Sequence, residues 1–164
     1  MNHATIRTFA LLLGCLLISL GSLSCSTVSK GEGAKITKVK YFQLNPEVPL
    51  NTQERALQME RDYHLYGAVT RADRQQRSGH YYSVFWKADD RETPLLLRFE
   101  YRQAKAGLKT MSLEIPIDRI RRSNVTRFEI TGDAYLELGA VTAWKVSLVR
   151  GNEELVAQES FLWK

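Results

Sequence analysis

Between residues 36 and 163 the chain breaks into short runs rich in Val, Ile, Tyr, Phe, Trp and Leu, separated by clusters of Gly, Asp, Asn, Ser and Pro. Within many of these runs apolar residues recur at every second position. That period belongs to β-strands, because successive side chains of a strand point to opposite faces. Strands are predicted near 36–44, 63–71, 80–88, 94–102, 110–117, 125–131, 140–150 and 154–163, at the spacing of a sandwich or barrel. One helix interrupts them. Asn51 and Glu54 have capping-box spacing, and Ala56, Met59 and Tyr63 follow at helical intervals, so the helix runs near 51–61 and ends near Asp62.

The strand assignment implies a register. A symmetric loop at RADRQQRSG sets Leu65 against Trp86, Gly67 against Val84 and Val69 against Tyr82. A second turn at DDRET sets Trp86 against Leu95, Val84 against Leu97 and Tyr82 against Phe99, so one apolar stripe links three strands. The last hairpin turns at Gly151 and Asn152, with Leu148 opposite Leu155 and Val146 opposite Ala157. In that register Trp144 meets Glu159, which calls for a bulge or a carboxylate at the sheet edge.

Over residues 36–163 this arrangement resembles the immunoglobulin and fibronectin type III class of sandwiches, with the Trp86 strand standing where such domains place a core tryptophan. The expected fold is therefore an all-β antiparallel sandwich of about eight strands, with one short added helix. The paired cysteines of true immunoglobulin domains are missing. The AWKVSLVRG and FLWK stretches also resemble bacterial envelope lipoproteins, a likeness that implies no activity.

The chain begins MNHATIR and continues into an apolar run from Phe9 to Leu23, then Ser24 and Cys25. Arg7 supplies a positive n-region, the run falls short of a bilayer span of about 20 residues, and Ser22 and Ser24 give a small-x-small cleavage pattern. Residues 1–24 thus read as an export signal, 25–35 as a flexible tether of small polar residues, and 36–164 as the sandwich domain. The only cysteines are Cys15, inside the apolar run, and Cys25. No disulfide forms within the exported domain, and a lone thiol in an oxidising compartment is exposed to oxidation. A lipid on Cys25 explains its presence, and the segment resembles a bacterial lipoprotein signal. Leu23 sits one place later than in that signal's usual box, so cleavage before an unmodified Cys25 is the alternative. The box ending at Cys15 leaves too short an apolar segment ahead of it. Ser26 after the cysteine implies, by the same resemblance, the outer membrane, with the domain facing the periplasm.

The whole chain carries a formal charge of +5. Without Arg7, 22 basic residues face 18 acidic ones. The basic residues concentrate at Lys35, Lys38 and Lys40, at Arg71, Arg74 and Arg77, and at Arg119, Arg121 and Arg122. These clusters are either solvated loops and charge-protected edge strands, or they attract anionic lipid headgroups or an acidic envelope polymer. Which applies depends on whether they share a face. Nucleic acid is a poor partner for an exported chain of modest charge.

No catalytic or cofactor motif is legible, and the expectation is a non-enzyme without metal or cofactor. Gly31 and Gly33 form a lone GxG without a preceding strand or third glycine. GxSxG, HExxH and Walker patterns do not occur. The implied register sets His64 opposite Lys87 and His80 opposite Arg71, too far apart to share a metal. Asp89 with Asp90 and Glu153 with Glu154 fall in predicted turns, where solvation keeps carboxylates ordinary. Asn124, Val125 and Thr126 form a sequon without meaning behind a bacterial-type signal.

What remains is aromatic. In SGHYYSVFWK, Tyr82, Val84 and Trp86 form the inward stripe and leave Tyr81 and Phe85 on the reverse face. That face is either covered by the helix near 51–61 or is an exposed platform that docks a partner protein or stacks a sugar, extended by Tyr41, Phe42, Tyr66 and Tyr101. The candidate contact residues are therefore Tyr81 and Phe85 with Arg71, Arg74 and Arg77. The expected function is a membrane-tethered interaction or structural module of the cell envelope, held by Cys25 and meeting an envelope protein or glycan. The second reading is a carbohydrate-binding or saccharide-processing accessory domain.

Overall fold

A computed structural model describes residues 28–164. Residues 1–24, read above as an export signal, and Cys25 lie outside the described residues. Eight strands form two four-stranded antiparallel sheets. They are β1 (Ser29–Gly31), β2 (Ala34–Leu44), β3 (Gly79–Ala88), β4 (Leu95–Gln103), β5 (Met111–Ile117), β6 (Asn124–Thr131), β7 (Val141–Arg150) and β8 (Glu153–Glu159). Sheet A has the order β1-β2-β3-β6 and sheet B the order β5-β4-β7-β8. Among the described residues three short helices take the place of the one expected: α1 (Arg55–Leu65) and α2 (Arg71–Gln76) lie between β2 and β3, and α3 (Gly132–Leu138) lies between β6 and β7. The fold is an all-β sandwich, as the period-two pattern requires.

The inward stripe is where the alternation placed it. Tyr82, Val84, Trp86, Leu97, Phe99, Val146 and Leu148 are almost wholly buried between the sheets. Tyr82 and Phe99 pack with ring centroids 4.7 Å apart, and Phe128 stacks on Phe99 at 5.0 Å. The Trp86 indole N–H donates to Thr126 Oγ1 at 3.0 Å, which satisfies the one polar atom of a buried ring.

Several local expectations are corrected. No strand occupies 63–71. The segment ends α1, passes through Gly67 with φ +80°, and starts α2. A capping box decides the start of α2: Thr70 Oγ1 accepts from the Asp73 amide at 3.1 Å, and Asp73 Oδ2 accepts from the Thr70 amide at 2.9 Å. The partners assigned to β3 from that segment are supplied by β2 instead, with Ile36 opposite Trp86, Val39 opposite Val84 and Tyr41 opposite Tyr82. β3 and β4 are not a hairpin. The chain crosses between sheets after Ala88, so Trp86, Val84 and Tyr82 face Leu95, Leu97 and Phe99 across the interior.

In the last hairpin a bulge between Leu148 and Val149 slides the pairing by one residue. Leu148 then meets Val156, Val146 meets Gln158, and Glu159 meets Lys145 in place of Trp144 and is exposed. Helix α1 starts four residues later than predicted, because Thr52 Oγ1, not Asn51, takes the Glu54 amide. Finally, Ser29–Gly31 of the presumed tether is strand β1, paired with Ala34–Ile36. β1 runs so close to β8 that a Cβ on Gly31 would collide with the Leu155 carbonyl.

Candidate functional site

The reverse face of sheet A, the one turned away from the core, is built by strand parity. Row by row, Lys30 stands opposite Lys35 and Lys35 opposite Lys87. Lys38 stands opposite Phe85, and Phe85 opposite Val125. Lys40 stands opposite Ser83, and Ser83 opposite Arg127, while the last row holds Phe42, Tyr81 and Glu129. The bulge between Ile36 and Lys38 lets Lys35 and Lys38 share this face although Ile36 and Val39 both turn inward.

Helix α1 covers the last row. His64, buried, stacks on Tyr81 with centroids 3.7 Å apart and on Phe42 at 5.6 Å. The Tyr81 hydroxyl donates to the Arg77 carbonyl at 2.7 Å, and burial, with some help from Glu129, pushes its pKa up to about 12. A recess of about 310 Å³ remains between α1 and the sheet, lined in part by Lys40, Phe42, Leu57 and Tyr81. The two candidate aromatics therefore part company. Tyr81 is a packing residue at 7% exposure. Phe85 stays half-buried beyond the helix, with Lys40 Nζ 5.5 Å from its ring centroid and the exposed Val125 beside it.

The arginines of α2 do not join Phe85. Arg71 bonds both Glu47 carboxylate oxygens at 3.3 Å, Arg74 Nε donates to the Thr70 carbonyl at 3.3 Å, and both line a recess with Pro46 and Glu47. The proposed extensions of the platform also scatter. Tyr101 is buried in the core, Phe42 lies beneath His64, Tyr66 is exposed beyond α1, and Tyr41 is on the core side of β2. Sequence reasoning missed Lys87, Val125 and Arg127. The signal was available in β6, where Phe128 and Ile130 fix the inward parity and leave Val125 and Arg127 outward.

Among the described residues no group of His, Cys, Asp or Glu side chains is arranged to hold a metal ion. The two histidines are not placed as the implied register had them. His64 is on α1, and His80 lies in β3 opposite Gln43 and Ile130. His80 is 2% exposed, its Nε2 is 3.3 Å from the Tyr41 hydroxyl, its Nδ1 has no partner among the described residues, and burial lowers its pKa to about 4. The unfolded chain binds a proton at this site near pH 6.5, whereas the folded protein resists it down to about pH 4. Stability contributed by the neutral ring is thus present above about pH 6.5 and is lost as the pH falls through that window, by about 3 kcal/mol at most. Urea melts from pH 7 to pH 4 should show His80→Phe losing less stability than the native chain. Equal losses would remove His80 from the acid sensitivity.

No helix among the described residues is long and apolar enough to cross a membrane. No family model matches the chain, and no curated protein or solved structure is significantly similar to it.

Proposed function

We propose that the protein is a non-enzymatic, membrane-tethered interaction module of the bacterial cell envelope. The observation that carries this reading is the open face of sheet A, where the half-buried Phe85 and the exposed Val125 stand side by side among basic side chains. An apolar pair rimmed by basic side chains on an open sheet face suits contact with a partner. Beside it, β1 pairs only with Ala34–Ile36, so the rest of β2 offers a strand edge without a partner among the described residues. The strand order supports the immunoglobulin or fibronectin type III resemblance. With β2, β3 and β6 taken as strands A, B and E, the second sheet reads C′, C, F and G.

The sugar-binding alternative needs coplanar aromatics beside hydrogen-bonding groups. With Tyr81 withdrawn under α1, Phe85 is left without an aromatic neighbour on the open face, which counts against it.

The tether rests on the apolar run of residues 9–23 and the lone Cys25 behind it. Two or more acyl chains give stable attachment where a single chain is marginal. Cys25→Ser should therefore move the protein from the membrane pellet to the soluble envelope fraction, and mass spectrometry of the native protein should find a lipid on Cys25. An unmodified Cys25 refutes the lipid anchor.

A further inference from the structure

We infer that the open face of sheet A is a docking surface for the anionic lipid headgroups of the membrane to which the chain is tethered. The inference rests on the tethered reading and adds the partner of the face. Three stretches of sequence far apart in the chain converge there: Lys30, Lys35, Lys38 and Lys40 from β1 and β2, Lys87 from β3, and Arg127 from β6. Among the described residues none of these six is in an ion pair, whereas Arg71, Arg98, Lys145 and Arg150 elsewhere each pair with a carboxylate. Acidic side chains stay at the margin: Glu32 in the β1–β2 turn, Asp89 just past β3 with its amide donating to the Gly33 carbonyl, Glu129 in the far row, and Glu60 on α1. Arg119 and Arg121 extend the positive charge past β6, lining a recess of about 430 Å³ that includes Val125.

Placement of the tether selects lipid over other polyanions. Three residues, four Cα–Cα steps, separate Cys25 from Ser29, a reach of at most about 14 Å. A lipid on Cys25 therefore holds β1 and β2, which carry four of the six cations, close to the headgroups. Each basic side chain near an anionic bilayer contributes roughly a fivefold factor to partition. Phe85 on β3 and Val125 beside it on the edge strand β6 are suited to rest at the headgroup boundary while the lysines reach around them.

The test uses the full chain, lipid included, reconstituted into vesicles of phosphatidylcholine alone and of phosphatidylcholine with phosphatidylglycerol. Lysines are acetylated and each site is read by mass spectrometry. Labelling of Lys35, Lys38, Lys40 and Lys87 should slow severalfold on the anionic vesicles only, while Lys105, Lys109 and Lys145 stay unchanged. About 1 M sodium chloride, where the screening length is about 3 Å, should abolish the difference. The exposed pair Lys38→Glu with Lys40→Glu should restore fast labelling at Lys35 and Lys87 without altering the thermal melt. Flotation with neutral vesicles reports the tether separately. If the protein floats and labelling is the same on both vesicles, this surface is wrong and the tether stands. If it does not float with neutral vesicles, both fail. Equal protection by soluble polyglutamate without vesicles assigns the face to an acidic polymer and overturns the lipid assignment.

Discussion

Trp86→Ala is expected to lower the unfolding free energy by about 3 to 5 kcal/mol, the range for truncating a large buried aromatic. The indole is 1% exposed at the centre of the stripe that joins the two sheets. Its removal also leaves the buried Thr126 hydroxyl without the 3.0 Å bond it accepts, a cost of about 1 kcal/mol or more. Against a typical domain stability of 5 to about 15 kcal/mol, that is a large fraction. Equilibrium urea unfolding measures it directly. Trp86→Phe, which keeps most of the volume but not the N–H, should fall between the two. An unchanged midpoint for Trp86→Ala would mean that the ring is not between the sheets.

The second large effect separates two side chains that the sequence treats as equivalent. Tyr81→Ser should destabilise by about 3 kcal/mol or more, because the ring lies beneath His64 and its hydroxyl holds the Arg77 carbonyl. Tyr81→Phe isolates the hydrogen bond and should cost about 1 kcal/mol. Phe85→Ser should cost clearly less than Tyr81→Ser, since the ring is half-buried, lies beyond the helix and makes no hydrogen bond, and its neighbour Lys40 remains solvated. Yet Phe85→Ser is the change that should weaken docking of the sheet face. Thermal melts of the three variants, followed by vesicle labelling of Phe85→Ser, give both readouts. Similar destabilisation by Tyr81→Ser and Phe85→Ser would show that α1 shields the whole face.

What could be read from the sequence was whatever strand periodicity controls. Alternation in β3, β4 and β7 identified the inward stripe, because a residue's parity is set locally by the pleat, whichever strand lies beside it. The same parity placed Tyr81 and Phe85 together on the reverse face. Which strand is the neighbour is a different matter, since hydrogen-bonded partners are chosen by the global packing of two sheets. A connection of a few residues serves equally to return within one sheet or to cross to the other. That is why β3 meets β2 and β6, while β4 joins the opposite sheet.

The segment 63–71 shows the same limit at short range. Its Leu65, Gly67 and Val69 alternate like a strand, but β2 fills the place beside β3, and the Thr70–Asp73 capping box starts a helix instead. The basic clusters were visible as clusters but had no common location. The face that Lys35, Lys38 and Lys40 share with Lys87 and Arg127, and that Arg71 and Arg74 do not join, exists only because the bulge after Ile36 keeps Lys35 and Lys38 together, and because β6, far along the chain, docks against β3 and brings Val125 and Arg127 beside Phe85. The composition of that face was written locally, residue by residue, through side-chain parity. Its assembly into one surface, with Tyr81 closed off by α1 and Phe85 left open, was decided by tertiary packing, because long-range strand pairing is set by how the whole apolar stripe is buried.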